Sequence, residues 1–168
     1  MSEEDISTAV FYSISSCQDG LSGISFGNFL IKEVVYKLKR KNEALKKFVT
    51  LSPAPDFTKW LKEQSIDEDL DEESLMKQAM TYLLHSNRED GFPNDPVARF
   101  HLGNGATLER INLNADMSLK GIYQSKGMMV NYLYDPDSLE KNHELFFNTK
   151  KVQHSEKVGT LLKKLQIQ

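Results

Sequence analysis

Three features of the sequence predict a mixed α/β fold with a partly parallel sheet flanked by helices. Short runs rich in β-branched and aromatic residues alternate with stretches whose apolar residues recur at helical spacing. The first strand-like run passes through a glycine loop into a helix and on to a second strand-like run, an order that makes the two strands parallel. The length of 168 residues, with 39% apolar and 27% charged, suits one domain with a real core, spanning residues 1–168.

Taken in order, residues 8–14 (TAVFYSI) read as a short buried strand. The loop SSCQDGLSGISFG follows, with glycines at 20, 23 and 27. In the next helix Phe26, Leu30, Val34 and Leu38 form an apolar stripe, with Ile31 and Val35 beside it. Its basic end, Lys37, Lys39, Arg40 and Lys41, suits a helix C-terminus and points weakly to contact with cofactor phosphates. Residues 47–51 (KFVTL) form a second strand, stopped by Ser52-Pro53-Ala54-Pro55. Asp56 is the expected cap of a short helix in DFTKWLKEQ. The acidic run 67–73 reads as a solvated linker and helix start. It leads into SLMKQAMTYLLH, whose Leu75, Met76, Ala79, Met80 and Leu83 make a core face. NREDGFPNDP is a loop by its Gly, Pro, Asn and Asp content. Strands are expected around 107–113 and 127–134, joined by NADMSLKGIYQSK, and a terminal helix with Ser155 as its cap. Residues 1–7 and 153–168 read as peripheral.

The net charge of -3, with both signs interspersed, gives no basic face for nucleic acid. Cys17 is alone, so no internal disulfide forms and a reducing compartment is expected. No apolar run approaches the roughly 20 residues of a membrane span. The acidic start MSEED lacks the features of a signal or presequence, and the final QIQ is not a peroxisomal address, so a cytoplasmic residence is expected. His85, His143 and His154 read as surface residues. His101 has no metal-binding partner at a suitable spacing, so no metal is expected.

Two stretches carry chemistry. A small-residue loop leaving a strand and opening a helix aims unpaired backbone N–H groups at an anion. Ser22, Gly23, Ile24, Ser25, Phe26, Gly27 and Asn28 occupy that position. The P-loop spacing is absent, and Ser25 stands where a dinucleotide fingerprint needs glycine. The junction is similar to that of GNAT-superfamily acyltransferases, whose amides hold the pyrophosphate of coenzyme A. In ARFHLGNGATLERIN, His101 lies between Phe100 and Leu102, just before Gly103-Asn104-Gly105, a tight turn needing positive φ. The ring reads either as a core histidine or as a catalytic group at a pocket mouth. Alone, Ser52 reads as a turn residue and Tyr134 as a core tyrosine or a site donor.

The blocks AVFYSIS, GLSG, FGNFLIKEVV, LSPAPDFTKWL, DPVARFHLGNGATLERINLNADMSLKG and GMMVNYLY, in this order between Ala9 and Tyr134, resemble the carboxy-terminal part of malonyl-CoA decarboxylases. The resemblance implies a partial GNAT N-acetyltransferase-like fold. It also implies conversion of malonyl-CoA to acetyl-CoA and carbon dioxide without an added cofactor. It assigns catalytic roles to His101, Ser52 and Tyr134 and the coenzyme A cradle to residues 22–28. Family members carry larger polar or acidic residues where Ser22 and Ser25 stand, and a longer stretch between Trp60 and Asp95. They also begin with a helical domain and further strands, so about half of the usual enzyme is expected to be missing. That leaves two rival expectations, a non-catalytic coenzyme A-binding or partner-binding remnant and an acyltransferase acting on another acceptor. An incomplete sheet would expose an edge strand for a second copy or another partner to cover.

Overall fold

Strand β1 (Thr8–Phe11) pairs in parallel with β2 (Lys47–Thr50), from Thr8 opposite Lys47 to Phe11 opposite Thr50. The crossover is helix α1 (Phe26–Lys41), so the expected strand–helix–strand unit is present. These coordinates come from a computed structural model that describes residues 6–12, 26–67 and 69–167, with backbone only for 26–29.

β1 departs from the buried strand expected of it. It pairs with β2 alone among the described residues, and Val10 and Tyr12 are 51% and 79% exposed. An edge strand has a neighbour on one side only, so its apolar residues depend on cover from elsewhere. The stripe of α1 also differs by one position. Ile31 and Val35 are buried while Leu30 is exposed, so the helix faces the sheet through the residues beside the expected stripe.

Ser52-Pro53 does not end the second strand. The chain passes Leu51 without a change of register and continues as β3 (Ser52–Pro53), antiparallel to β5 (Met129–Leu133), with Ser52 opposite Val130 and Pro53 opposite Met129. Proline's fixed φ suits an extended backbone, and a two-residue strand asks little of its missing N–H. β5 is central: it also pairs antiparallel with β2 and with β4 (Thr107–Asn112), the latter through a bulge between Leu108 and Arg110.

Helices cover this sheet. In α2 (Phe57–Glu63) and α3 (Glu72–Leu84), Phe57, Trp60 and Tyr82 pack ring to ring at centroid distances of 5.3 to 6.2 Å. Asp56 stands at the head of α2, but its side chain makes no capping bond; Asp71 caps α3 by accepting from Ser74 N–H at 2.8 Å. Two helices lie where the sequence reading marked no element, α4 (Pro96–Gly103) and α5 (Leu119–Ser125) inside the β4–β5 connection, and α6 (Leu139–Thr149) falls on the polar, helix-like stretch around His143. Helix α7 (Glu156–Lys164) carries the expected cap, Ser155 Oγ accepting from Val158 N–H. Its segment is not peripheral. Leu108 N–H donates to Gln153 O, Ser155 N–H donates to Leu108 O, and Val158 and Leu165 are buried, because β4 would otherwise present a bare edge. No helix among the described residues is long and apolar enough to cross a membrane.

Candidate active site

Helix α4 exists because its ends are specified locally. Asp95 accepts from Ala98 N–H at 2.7 Å, and Pro96 opens the first turn, where its missing N–H costs nothing. At the other end the chain must turn under α6. Gly105 takes φ +83°, and a Cβ there would overlap the Leu139 carbonyl. Of the Gly-Asn-Gly run, only this last residue needs glycine's left-handed freedom; Gly103 is the final residue of the helix. The spacing of Asp95, Ala98, His101 and Leu102 turns all four toward the interior.

His101 therefore comes off the last turn of α4 and meets the sheet. Its Nε2 lies 3.0 Å from Ser52 Oγ, and its Nδ1 lies 2.8 Å from Tyr134 Oη. Ser52 is positioned by β3, and Tyr134 by the end of β5, where its N–H donates to Phe48 O at 2.8 Å. The three residues expected to act together thus form one continuous line, 6%, 3% and 0% exposed for Ser52, His101 and Tyr134. The line extends one step further, because Ser52 O–H donates to Thr50 Oγ1 at 2.9 Å and Tyr132 N–H donates to the same oxygen at 3.0 Å. The Tyr132 ring stacks on the imidazole, with centroids 4.7 Å apart and planes 24° from parallel.

Burial sets the charge states. Desolvation drives the His101 imidazole down to about 3, so the ring is neutral at neutral pH rather than titrating near 6.5 as its type suggests. A neutral ring has one N–H and one bare nitrogen, which fits a chain with a hydroxyl at each end. Burial raises the Tyr134 and Tyr132 phenols well above their usual range, so both stay protonated. Behind them, desolvation lifts buried Asp95 to about 6, while Ala98 N–H and the Tyr82 hydroxyl, 3.2 Å from its Oδ2, hold it down in part.

The cradle residues Ser22, Gly23, Ile24 and Ser25 lie outside the described residues, while Phe26, Gly27 and Asn28 open α1. His85 and His154 are exposed as expected. His143 is half-buried, its Nδ1–H donating to Gly103 O, because α6 packs on the end of α4. No group of three His, Cys, Asp or Glu side chains among the described residues could hold a metal ion. Asp95, Tyr82, Thr50, Tyr132 and Asn104 surround the line without having been singled out. Asp-Pro ahead of an apolar run is a helix-start signature that would have found α4 and Asp95; the others depend on pairing across the sheet.

Comparison with known proteins gives a consistent set of likenesses. The family model described as the malonyl-CoA decarboxylase C-terminal domain matches residues 1–74 and 59–168. The mitochondrial malonyl-CoA decarboxylase of Anser anser anser is 35% identical over 208 aligned residues, covering 97% of this chain and 41% of that protein. The crystal structure of malonyl-CoA decarboxylase from Rhodopseudomonas palustris is 42% identical, with a TM-score of 0.86 over 96% of this chain and 43% of its own. The loading GNATL domain of CurA from Lyngbya majuscula is 17% identical, with a TM-score of 0.55 over 81% of this chain and 58% of its own, and shares the fold. The chain spans about two fifths of the length of the curated relatives it matches. The 208 aligned positions exceed its 168 residues, and the two family matches meet over 59–74. Relatives therefore carry a segment near α2 and α3 that has no counterpart here.

Proposed function

Because the chain belongs to the malonyl-CoA decarboxylase C-terminal domain family, we propose that it binds malonyl-CoA and releases carbon dioxide, leaving acetyl-CoA. The observation that carries this reading is the hydrogen-bonded line from Ser52 through His101 to Tyr134.

Breaking the bond to the carboxylate leaves its electron pair on the α-carbon as a thioester enolate. The thioester carbonyl accepts that charge, so no added electron sink is required. The protein must hold the carboxylate out of the carbonyl plane, stabilise the enolate oxygen and return a proton to carbon. A preorganised donor to such an oxyanion contributes roughly 3–4 kcal/mol in a dry site, and positioned proton transfer adds about 10²–10⁴-fold. Ser52 is the hydroxyl assigned to the substrate, and His101 the proton reservoir behind it. A neutral buried imidazole is a poor acid until a negative charge arrives; the malonyl carboxylate supplies that charge, and the ring takes up the proton it then delivers. Tyr134 holds Nδ1 and keeps the ring's edge toward Ser52. The pyrophosphate is assigned to the start of α1, where the backbone amides of Phe26, Gly27 and Asn28 open the helix; the other cradle residues, 22–25, lie outside the described residues.

Carbon dioxide release from malonyl-CoA by the purified chain tests the activity, with His101→Asn as the inactive control. Turnover unchanged in that variant removes His101 from the chemistry. The edge of β1, unpaired among the described residues, favours a second reading, a coenzyme A-binding fragment that works only when another chain or a second copy adds a strand beside Val10. Mass in solution, with and without turnover, separates the two. The lone Cys17 supports a reducing, cytoplasmic compartment, whereas the curated relatives are mitochondrial by name.

A further inference from the structure

Asn104 is 1% exposed, and neither its amide nitrogen nor its amide oxygen has a hydrogen-bond partner among the described residues. Buried polar atoms are normally paired, so two unpaired on one side chain call for a reason. The backbone gives none. Asn104 has φ −86° and ψ 2°, open to any residue, and the left-handed position falls on Gly105. Closure of α4 uses only the Asn104 backbone N–H, which donates to Phe100 O and His101 O.

What the amide does have is a neighbour. It follows His101 by three residues and stands beside the Tyr134 hydroxyl, close enough to favour the phenolate against the effect of burial, without completing a hydrogen bond. That hydroxyl is the end of the line, and the line can run in two senses. In the first, Tyr134 O–H donates to Nδ1, Nε2–H donates to Ser52 Oγ, and Ser52 O–H donates onward to Thr50. Tyr134 Oη then has room for one more donor, which an amide N–H supplies. In the second, Nδ1–H donates to Tyr134 Oη, and the phenol proton needs an acceptor, a part the amide oxygen can play. An asparagine serves either sense without bringing charge into the core.

We propose that Asn104 is a positioning residue that donates to Tyr134 Oη, keeps the phenol O–H donating to His101 Nδ1 and so fixes the ring as the Nε2–H tautomer facing Ser52. This rests on the reading that the line is the reaction site, but its first readout does not require turnover. The ¹⁵N spectrum of histidine-labelled protein, with His101→Gln to assign the ring, reports the tautomer directly. The native chain is expected to show protonated Nε2. Asn104→Asp presents only acceptors, draws the phenol proton away and is expected to move the ring proton to Nδ1. Asn104→Leu, of similar size, removes both dry polar atoms. It is expected to leave the chain folded, because Tyr134 Oη keeps His101 Nδ1 as a partner. It is also expected to leave a mixture of tautomers. In either variant kcat is expected to fall about tenfold or more with KM within about twofold, since proton delivery rather than binding is affected.

If Asn104→Asp does not fold, Asn104→Leu decides. A native Nδ1–H ring overturns the proposal, as does a tautomer unmoved in the variants that fold. Reduced stability with an unmoved tautomer identifies a packing role instead. A chain that releases no carbon dioxide yet shifts its tautomer as stated refutes the decarboxylase reading and leaves this one standing.

Discussion

Replacing His101 with glutamine is expected to reverse how the protein responds to acid. The folded ring titrates near 3 and an unfolded histidine near 6.5, so below neutrality the unfolded chain binds a proton that the folded chain refuses. Stability from this group is present above pH 6.5 and drains away as pH falls toward 3. At pH 4.5 the two values differ in proton binding by roughly a hundredfold, a loss of about 2.7 kcal/mol relative to pH 7.5. Asp95 acts with the opposite sign. Its folded value near 6 lies above the ordinary carboxyl value of 3.8, so its contribution is present in acid and lost as pH rises through that window. At pH 4.5 it returns about 2 kcal/mol relative to pH 7.5. The native chain is thus expected to change little from these two groups together. His101→Gln is expected to gain about 2 kcal/mol on acidification, and Asp95→Asn, which keeps a good cap, to lose about 2.7 kcal/mol. Urea unfolding followed by Trp60 fluorescence at pH 7.5 and 4.5 measures all three, and groups common to the variants cancel in the differences. Three parallel pH responses, within about 0.5 kcal/mol, would mean that neither group is held in the charge state its burial implies.

The same geometry sets further expectations. Ser52→Ala and Tyr134→Phe each leave one imidazole nitrogen unpaired in a dry site, so each is expected to cost about 1–3 kcal/mol in denaturant unfolding; no cost in either would mean the line does not persist in solution. Gly105→Ala combines a left-handed φ with overlap on the Leu139 carbonyl, and is expected to cost more than about 3 kcal/mol by the same assay. Malonyl-CoA binding is expected to be coupled to proton uptake. A carboxylate about 4 Å from the imidazole at an effective dielectric near 20 gives roughly 4 kcal/mol, or about 3 pKa units, enough for about half a proton at pH 6. Calorimetry in buffers of different ionisation enthalpy reads that uptake, and an equal uptake on acetyl-CoA binding would dissociate it from the carboxylate.

The parts of the fold legible in the sequence are those whose signal is local. The parallel pairing of β1 with β2 follows from strand, loop and helix in order, and β4 and β5 announce themselves by composition. The helices α4, α5 and α6 were harder because each is short or polar, and their boundaries are written in caps rather than in long periodic stripes: Asp95 before Pro96, Ser118 onto Gly121, Lys150 in a left-handed turn after α6. The stop expected at Ser52-Pro53 failed for a different reason. Proline forbids a donor, not a strand, and whether a strand continues depends on a partner roughly 75 residues away in sequence, which no local pattern specifies. The exposed face of β1 is the same lesson inverted: an apolar run predicts burial only where another element packs over it, and among the described residues Val10 and Tyr12 stay exposed.

The site divides along that line too. Ser52, His101 and Tyr134 were reachable through the family blocks, and the fold unites them from three elements. What the blocks could not carry is the charge state of the ring. A histidine read as an isolated side chain titrates near neutrality; this one does not, because it is buried against Ser52, Tyr134 and the Tyr132 ring. That changes the chemistry assigned to it. In the proposed reaction, a ring already charged at neutral pH would wait for any anion, whereas a ring that charges only against a bound carboxylate becomes an acid when the group to be lost is in place. On the proposed decarboxylase reading, burial, usually the mark of a structural histidine, becomes the means by which the proton is withheld until the substrate carboxylate arrives.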